Sequence, residues 1–439
     1  MTTYWAQHAW TGDEVADGVL IATAGGAITS VTTGAAAPPA GAVPLAGLTV
    51  PGLANAHSHA FHRALRGHVQ RGQGTFWTWR ELMYAAAERL TPESYLALAR
   101  ATYAEMALAG ITAVGEFHYL HHAPGGRRYG DPNAMGHALI RAAAEAGIRI
   151  TLLDTAYLSA GFGAEPTAHQ LRFSDGSAQA WAERAGELKG DAHTVIGAAI
   201  HSVRAVPAGE LTTVATALGG PLHVHLSEQR AENEACLAAH GATPTRLLAE
   251  HGALGPRTTA VHATHLTDGD IELLGTTATG VCMCPTTERD LADGIGPALA
   301  VQAAGSPLSL GSDSHAVIDL LEEARAMELD ERLRTHVRGN WTAAQLLRAA
   351  TGDGHAALGW ERAGRIEAGA LADFTTVALD SVRTAGAGAT AEAAVFAAGA
   401  ADVRHTVVGG RQIVRDGVHT LIEDVPAALS AAIRQVIDA

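Results

Sequence analysis

Between residues 47 and 315 the chain alternates short apolar runs with helix-like segments, and nearly every apolar run ends in a histidine, glutamate or aspartate. The run 47–50 leads into His57 and His59, 110–115 into Glu116 and His118, and 148–153 into Asp154. The run 194–200 ends at His201, 221–226 contains His225 and is followed by Glu228, and 259–261 ends at His262. The runs 279–284 and 307–310 close the series, the last ending in Gly311-Ser312-Asp313. Short apolar runs bounded by glycine and proline read as buried strands, and strands alternating with helices specify a parallel sheet with crossover connections. About eight such units over roughly 270 residues match an α/β fold of the (β/α)8 TIM-type barrel class. A doubly wound open sheet would begin with a glycine-rich phosphate loop, which the chain lacks. A barrel gathers the C-terminal ends of its strands on one rim, so these polar residues can converge although they lie far apart in sequence.

Outside that stretch the pattern changes. Residues 1–48 hold short runs separated by turns such as Gly25-Gly26, and 364–425 resemble them, with a hairpin over 403–414 turning at Gly409-Gly410. Both ends are expected to build one small flanking β-sandwich domain (1–48 and 364–425) beside a catalytic barrel of residues 49–363, followed by a C-terminal helix over 426–439.

The composition excludes several kinds of chemistry. A formal net charge of −15 gives no basic face for nucleic acid, so an acidic substrate must be held by particular arginines at close range. No run reaches the ~18 apolar residues of a membrane span, and the first twenty residues show no secretory pattern. Three cysteines, Cys236, Cys282 and Cys284, cannot form a disulfide framework, which fits a reducing, cytoplasmic setting. Cys282-x-Cys284 has no second pair to complete a zinc finger and reads as buried, inert thiols. Lys189 is the only lysine and precedes the fourth strand, which ends in His201-Ser202-Val203-Arg204. A lysine-bridged two-metal centre and Schiff-base or pyridoxal chemistry are therefore not expected.

What remains is a metal site. His57 and His59 are two apart, so on an extended backbone both point to one face. With His225 they supply three neutral nitrogens and Asp313 an oxygen, a set that holds one divalent ion and keeps room for water. Glu228, three residues after His225, can shuttle protons to a leaving nitrogen. His262 can stabilise an oxyanion, and Asp313 has a catalytic part beside its ligand role. Three aromatics precede Arg80 in Phe76-Trp77-Thr78-Trp79-Arg80, either a packed helix start or a lid.

The ordered set His57-x-His59, His225-x-x-Glu228, His262 and Asp313 resembles the amidohydrolase superfamily over nearly the whole chain. The stretches Phe76–Tyr84, Glu116-Phe117-His118-Tyr119-Leu120-His121-His122, His201-Ser202-Val203-Arg204-Ala205-Val206 and His262-Ala263-Thr264-His265 look like the formimidoylglutamate deiminases within it. That resemblance implies hydrolysis of N-formimidoyl-L-glutamate to N-formyl-L-glutamate and ammonia, a step of histidine degradation, with Zn2+ as the usual metal and a homodimer as the usual assembly. It also implies that Arg80, Tyr119, His201 and Arg204 bind the glutamate part of a small dicarboxylate substrate. His62 stands where these enzymes more often have glutamine; as a substrate contact, its strength is expected to vary between about pH 6 and pH 8. The competing functions are deamination of a purine, pterin or triazine ring, and a metal-dependent binding protein without catalysis.

Overall fold

The computed structural model describes residues 1–12, 14–70 and 76–438, with Phe76 and Trp77 described in their backbone only. Four strands open the chain: β1 (Thr2–Trp10), β2 (Val15–Ala24), β3 (Ala27–Thr32) and β4 (Val43–Pro51). The barrel strands are β5 (Leu53–Ser58), β6 (Ile111–His118), β7 (Arg149–Ala156), β8 (Thr194–Ile200), β9 (Leu222–Leu226), β10 (Thr258–His262), β11 (Gly280–Met283) and β12 (Leu308–Leu310). Near the C-terminus come β13 (Phe374–Val377), β14 (Val403–Val408), β15 (Arg411–Arg415) and β16 (Val418–His419).

Strands β5 to β12 pair in chain order, each parallel to the next. Every residue of β6 and of β7 is buried, as a parallel strand covered on both faces requires. The connecting helices carry their own start and stop signals. Thr91 caps Pro92–Leu108 through a capping box with Ser94, and Gly147 ends Ala134–Ala146 at a φ of 85°. The remaining strands form one mixed sheet in the order β16-β15-β14-β13-β4-β1-β2-β3, so both chain ends share it. Its hairpin turns at Gly409 and Gly410, with φ of 57° and 73° as a two-residue turn demands. The terminal helix Val425–Ile437 is held by Arg89, which donates to the carbonyls of Val436 and Ile437.

The structure differs from the sequence expectation at one junction. The apolar run 47–50 lies in β4, which pairs parallel with β1 and antiparallel with β13 in the flanking sheet. The first barrel strand is instead Leu53-Ala54-Asn55-Ala56-His57-Ser58, whose weak strand propensity hides it. Gly52 makes the abrupt crossing possible: a Cβ there would lie 2.2 Å from Thr112 Oγ1.

The barrel closes through a short seam between β5 and the chain after β12. Ser58 and Asp313 form a parallel bridge; Asp313 N donates to His57 O (3.0 Å) and His59 N to Asp313 O (3.3 Å). Buried side chains reinforce it. Asn55 Nδ2 donates to Ser312 Oγ (2.7 Å), Ser312 N donates to Asn55 Oδ1 (2.9 Å), and Ser58 Oγ donates to Glu116 Oε2 (2.8 Å). Gly311 lets the two segments touch, since a Cβ there would fall 2.7 Å from the Cβ of His57. Gly311→Ala should therefore force the seam apart, costing roughly 1–3 kcal/mol of stability as overpacking does and loosening metal retention. Gly209→Ala, on a helix with open space around it, is the control. Thermal melting and metal content check this; a Gly311→Ala protein that matches wild type in both would refute it.

Candidate active site

The seam brings His57, His59 and Asp313 together, and β9 carries His225 to the same rim. His225 Nε2 lies 3.0 Å from His57 Nε2, and Asp313 Oδ1 lies 3.4 Å from His57 Nε2 and 3.3 Å from His59 Nε2. Ligands about 2.0–2.1 Å from a tetrahedral zinc-sized ion are about 3.3 Å apart, so these atoms already have coordination spacing. The tautomers agree with this. Nδ1 of His59 donates to Phe117 O and Nδ1 of His225 to His201 O, both at 3.0 Å, which leaves each Nε2 lone pair facing the common centre. Burial drives the His57 pKa down to about 3, so the ring is neutral, as a ligand must be. Burial would raise the Asp313 pKa, but the hydrogen bond from His57 and the charge on His262 overcome this and keep it ionised. Three nitrogens and one carboxylate oxygen thus fit a divalent ion.

Glu228 and His262 stand beside this group. His262 Nε2 is 3.7 Å from Asp313 Oδ2 and 3.9 Å from Glu228 Oε1. Its Nδ1 faces Glu288 Oε1 at 3.4 Å, and that oxygen also accepts the backbone N–H of Cys284 at 2.9 Å. Burial works against a charged His262, but Glu228 and then Glu288 and Asp313 outweigh it and hold its pKa well above the ordinary value. Burial raises Glu228. Asp293, which accepts from Gln229, is pushed up to about 8 by burial and then by the Glu228 charge. The backbone is strained around these groups. Among the described residues nine non-glycines have positive φ, and five of them, Ser227, His262, Ala263, Asp313 and His315, sit at this rim.

A cleft opens over the group, lined by His59, His62, Trp79, Arg80, Met83, Tyr84, Tyr119, Tyr157, Phe173, His201, Arg204, His225, Glu228, His262, Leu291 and Asp313. Every residue assigned from sequence to substrate binding therefore faces the same space. The helix Phe76–Arg89 supplies Trp79, Arg80, Met83 and Tyr84; the side chains of Phe76 and Trp77, which open this motif, lie outside the described residues. Arg80 Nε donates to Tyr84 Oη (2.9 Å), and its guanidinium sits 5.3 Å from that ring's centre. Among the described residues Arg204 hydrogen-bonds to no protein group, and the buried Glu232 is the strongest of the charges acting on it. Burial pushes Glu232 up to about 7 against the pull of Arg204. His62 Nε2 meets Tyr119 Oη at 3.0 Å. One expectation meets a contrary observation here. Burial, aided by His59, holds the His62 pKa well below its ordinary value, which favours the neutral ring and runs against a contact that varies between about pH 6 and pH 8.

Sequence reasoning missed three supports. Glu288 orients His262; its signal was a glutamate just past a strand end, in Pro285-Thr286-Thr287-Glu288. Gln170 donates from one amide nitrogen to Tyr84 Oη (3.1 Å) and Tyr157 Oη (2.8 Å). Arg172, fully buried, donates to the carbonyls of His122 (2.9 Å), Leu90 (2.7 Å) and Ala87, tying the Arg80 helix to the loop after β6. Neither Gln170 nor Arg172 falls in a motif or at a strand end. A second cluster, His118, His121 and Asp154, also has metal-like spacing. Its carboxylate is already filled by Arg184 Nη1 and Nη2 (2.9 and 2.8 Å) and Trp181 Nε1 (2.8 Å), so it buttresses the β6–β7 loops instead.

Comparisons with known proteins agree with this geometry. Residues 48–413 match the model of the Amidohydrolase family. The chain is 37% identical over 418 residues to the formimidoylglutamate deiminase of Pseudomonas aeruginosa, covering 91% of each. In structure it is similar to an amidohydrolase from Brucella melitensis, with a TM-score of 0.92 and 33% identity over the whole of both chains. It is also similar to an adenosine deaminase from Xanthomonas campestris with bound zinc, with a TM-score of 0.86 and 26% identity over 100% of this chain and 98% of that one. With a family match over most of its length, relatives that act on C–N bonds and a rim of this composition, the chain belongs to the amidohydrolase family and is a hydrolase of C–N bonds.

Proposed function

We propose that the protein hydrolyses the formimidoyl group of N-formimidoyl-L-glutamate, giving N-formyl-L-glutamate and ammonia. The observation that carries this reading is the pair Arg80 and Arg204 on the walls of a cleft whose floor is the His57, His59, His225 and Asp313 group. Two guanidiniums suit two carboxylates, each of which would be costly to bury without a cation. The relative of that name in Pseudomonas aeruginosa supports the reading.

One divalent ion, zinc by analogy with the Xanthomonas campestris deaminase, would be held by His57, His59, His225 and Asp313 and would lower the pKa of a water near the substrate. Glu228 carries the two protons of that water in turn to the departing nitrogen as the oxygen bonds to the amidine carbon, so the nitrogen leaves as ammonia and the carbon is left as the formyl group. His262, its Nδ1 held by Glu288, directs Nε2 toward the oxygen that develops negative charge. Arg80 and Arg204 bind the carboxylates, and Tyr119, His62 and His201 pack and hydrogen-bond the chain between them. The aromatic wall of Trp79, Tyr84, Tyr119, Tyr157 and Phe173 is the one feature that would also suit a flat ring, as in the ring deaminases. Ammonia release from formimidoylglutamate compared with guanine or adenosine separates the two readings.

Glu228→Gln keeps the side chain's shape but cannot carry a proton, so kcat should fall by roughly 10²-fold or more with metal content unchanged. Near-normal turnover in fully metallated Glu228→Gln would remove it from the mechanism. Arg204→Met should cost on the order of 3–5 kcal/mol in kcat/KM, the range for breaking a buried ion pair. It should also erase most of the preference for formimidoylglutamate over a formimidoyl amine without carboxylates; a preference left intact would point to a ring substrate. Because burial favours the neutral His62 ring, His62→Gln should leave the KM profile between about pH 6 and pH 8 unaltered. A KM that loses a pH-dependent rise on this substitution would show that His62 titrates in the working enzyme.

A further inference from the structure

Asp313 has two carboxylate oxygens, and they face different partners. Oδ1 looks at His57 and His59, at 3.4 and 3.3 Å, whereas Oδ2 looks at His262 Nε2, at 3.7 Å. Cys284 completes a second group. Ligand atoms of His262, Cys284 and Asp313 all lie within 4.8 Å of one another, and all three residues are buried. Strand β11 ends at Met283, and Cys284 stands at the start of the helix Pro285–Asp290. One oxygen of Glu288 aligns two members of the group, accepting from the Cys284 backbone N–H and meeting Nδ1 of His262. With Nδ1 donating to that carboxylate, Nε2 of His262 faces Asp313 and becomes a ligand once its proton leaves.

The surroundings favour a cation. Glu228, Glu288 and Asp313 each lie within 3.9 Å of the one imidazole of His262. A thiolate, an imidazole and one carboxylate oxygen form a mixed set that suits zinc, cadmium or cobalt and not magnesium or calcium. Nitrogen and oxygen ligands on a tetrahedral ion stand about 3.3 Å apart, so the observed 3.7 Å needs only a small contraction.

We propose that His262, Cys284 and Asp313 form a second, inhibitory site for a thiophilic divalent ion. When the ion is in excess it bonds to Cys284 Sγ, His262 Nε2 and Asp313 Oδ2, and it displaces the thiol proton and the Nε2 proton of the imidazolium, both of which are released to solvent. The imidazole that should meet the developing oxyanion is thereby withdrawn, and Asp313 becomes a bridge between two ions. This rests on the reading that His57, His59, His225 and Asp313 hold the first ion.

The test is a titration of metal-free protein with Co2+, following both near-UV absorption and turnover. The first equivalent should restore activity with no thiolate-to-cobalt charge-transfer band. Further Co2+ should bring in that band while turnover falls by on the order of 10²-fold, the scale of losing a general acid–base group. Cys284→Ala should keep the first equivalent and its activity, show no band, and resist excess Co2+ or Zn2+. An unmutated chain that shows no thiolate band at excess Co2+ overturns the proposal, and this result does not require the variant to fold. Equal inhibition of Cys284→Ala by excess metal also overturns it. A thiolate band that accompanies the first equivalent would instead overturn the assignment of the first ion.

Discussion

The hydrogen-bonded seam between Ser58 and Asp313 is the contact on which the site depends. A parallel barrel must join its first strand to its last, and here the joining residues are also three of the four proposed metal ligands. Closure of the fold and assembly of the ligand set are therefore one event. The spacing of the imidazoles follows from backbone pairing, before any ion contributes. The same economy explains the buried Asn55, Ser58, Ser312 and His315. Their side chains saturate one another across the seam, so its polar groups are not left unpaired in a low-dielectric interior.

Much of this was legible in the sequence because parallel strands buried on both faces leave nearly continuous apolar runs. Seven of the barrel strands could be placed that way. The first could not, since Leu53-Ala54-Asn55-Ala56 is held by its neighbours and not by its own propensity, while the more strand-like 47–50 serves the other sheet. The residues that touch reacting groups were visible because strand ends share a rim. The residues that hold them in place were less so. Gln170, Arg172 and Glu288 come from loops and short helices whose positions depend on tertiary contacts, and no spacing rule reaches them. His62 shows a different limit: its identity was plain, but its charge state depends on burial that only the folded chain reveals.

The rim also concentrates unfavourable terms. Five non-glycine residues there adopt positive φ, and several carboxylates crowd one imidazole. Isolated, such features would each lower stability. Together they aim Glu228, His262 and Asp313 at one point and concentrate negative charge there. Strain in the backbone and surplus charge in the side chains are thus two parts of one arrangement, borne by the large apolar core that surrounds the barrel.

Gly52 is the only residue between a strand of the flanking sheet and the first strand of the barrel. Its N–H is tied to the Asp373 carbonyl and the next N–H, of Leu53, to the Gly110 carbonyl, so a displacement of the outer sheet would pull directly on the strand that leads to His57 and His59. The outer sheet is accordingly no detachable accessory. It acts as an anchor for the ligand-bearing strand, which gives a mechanical reason for both ends of the polypeptide to be stitched into it, and it makes this barrel a poor candidate for transplantation as an independent module.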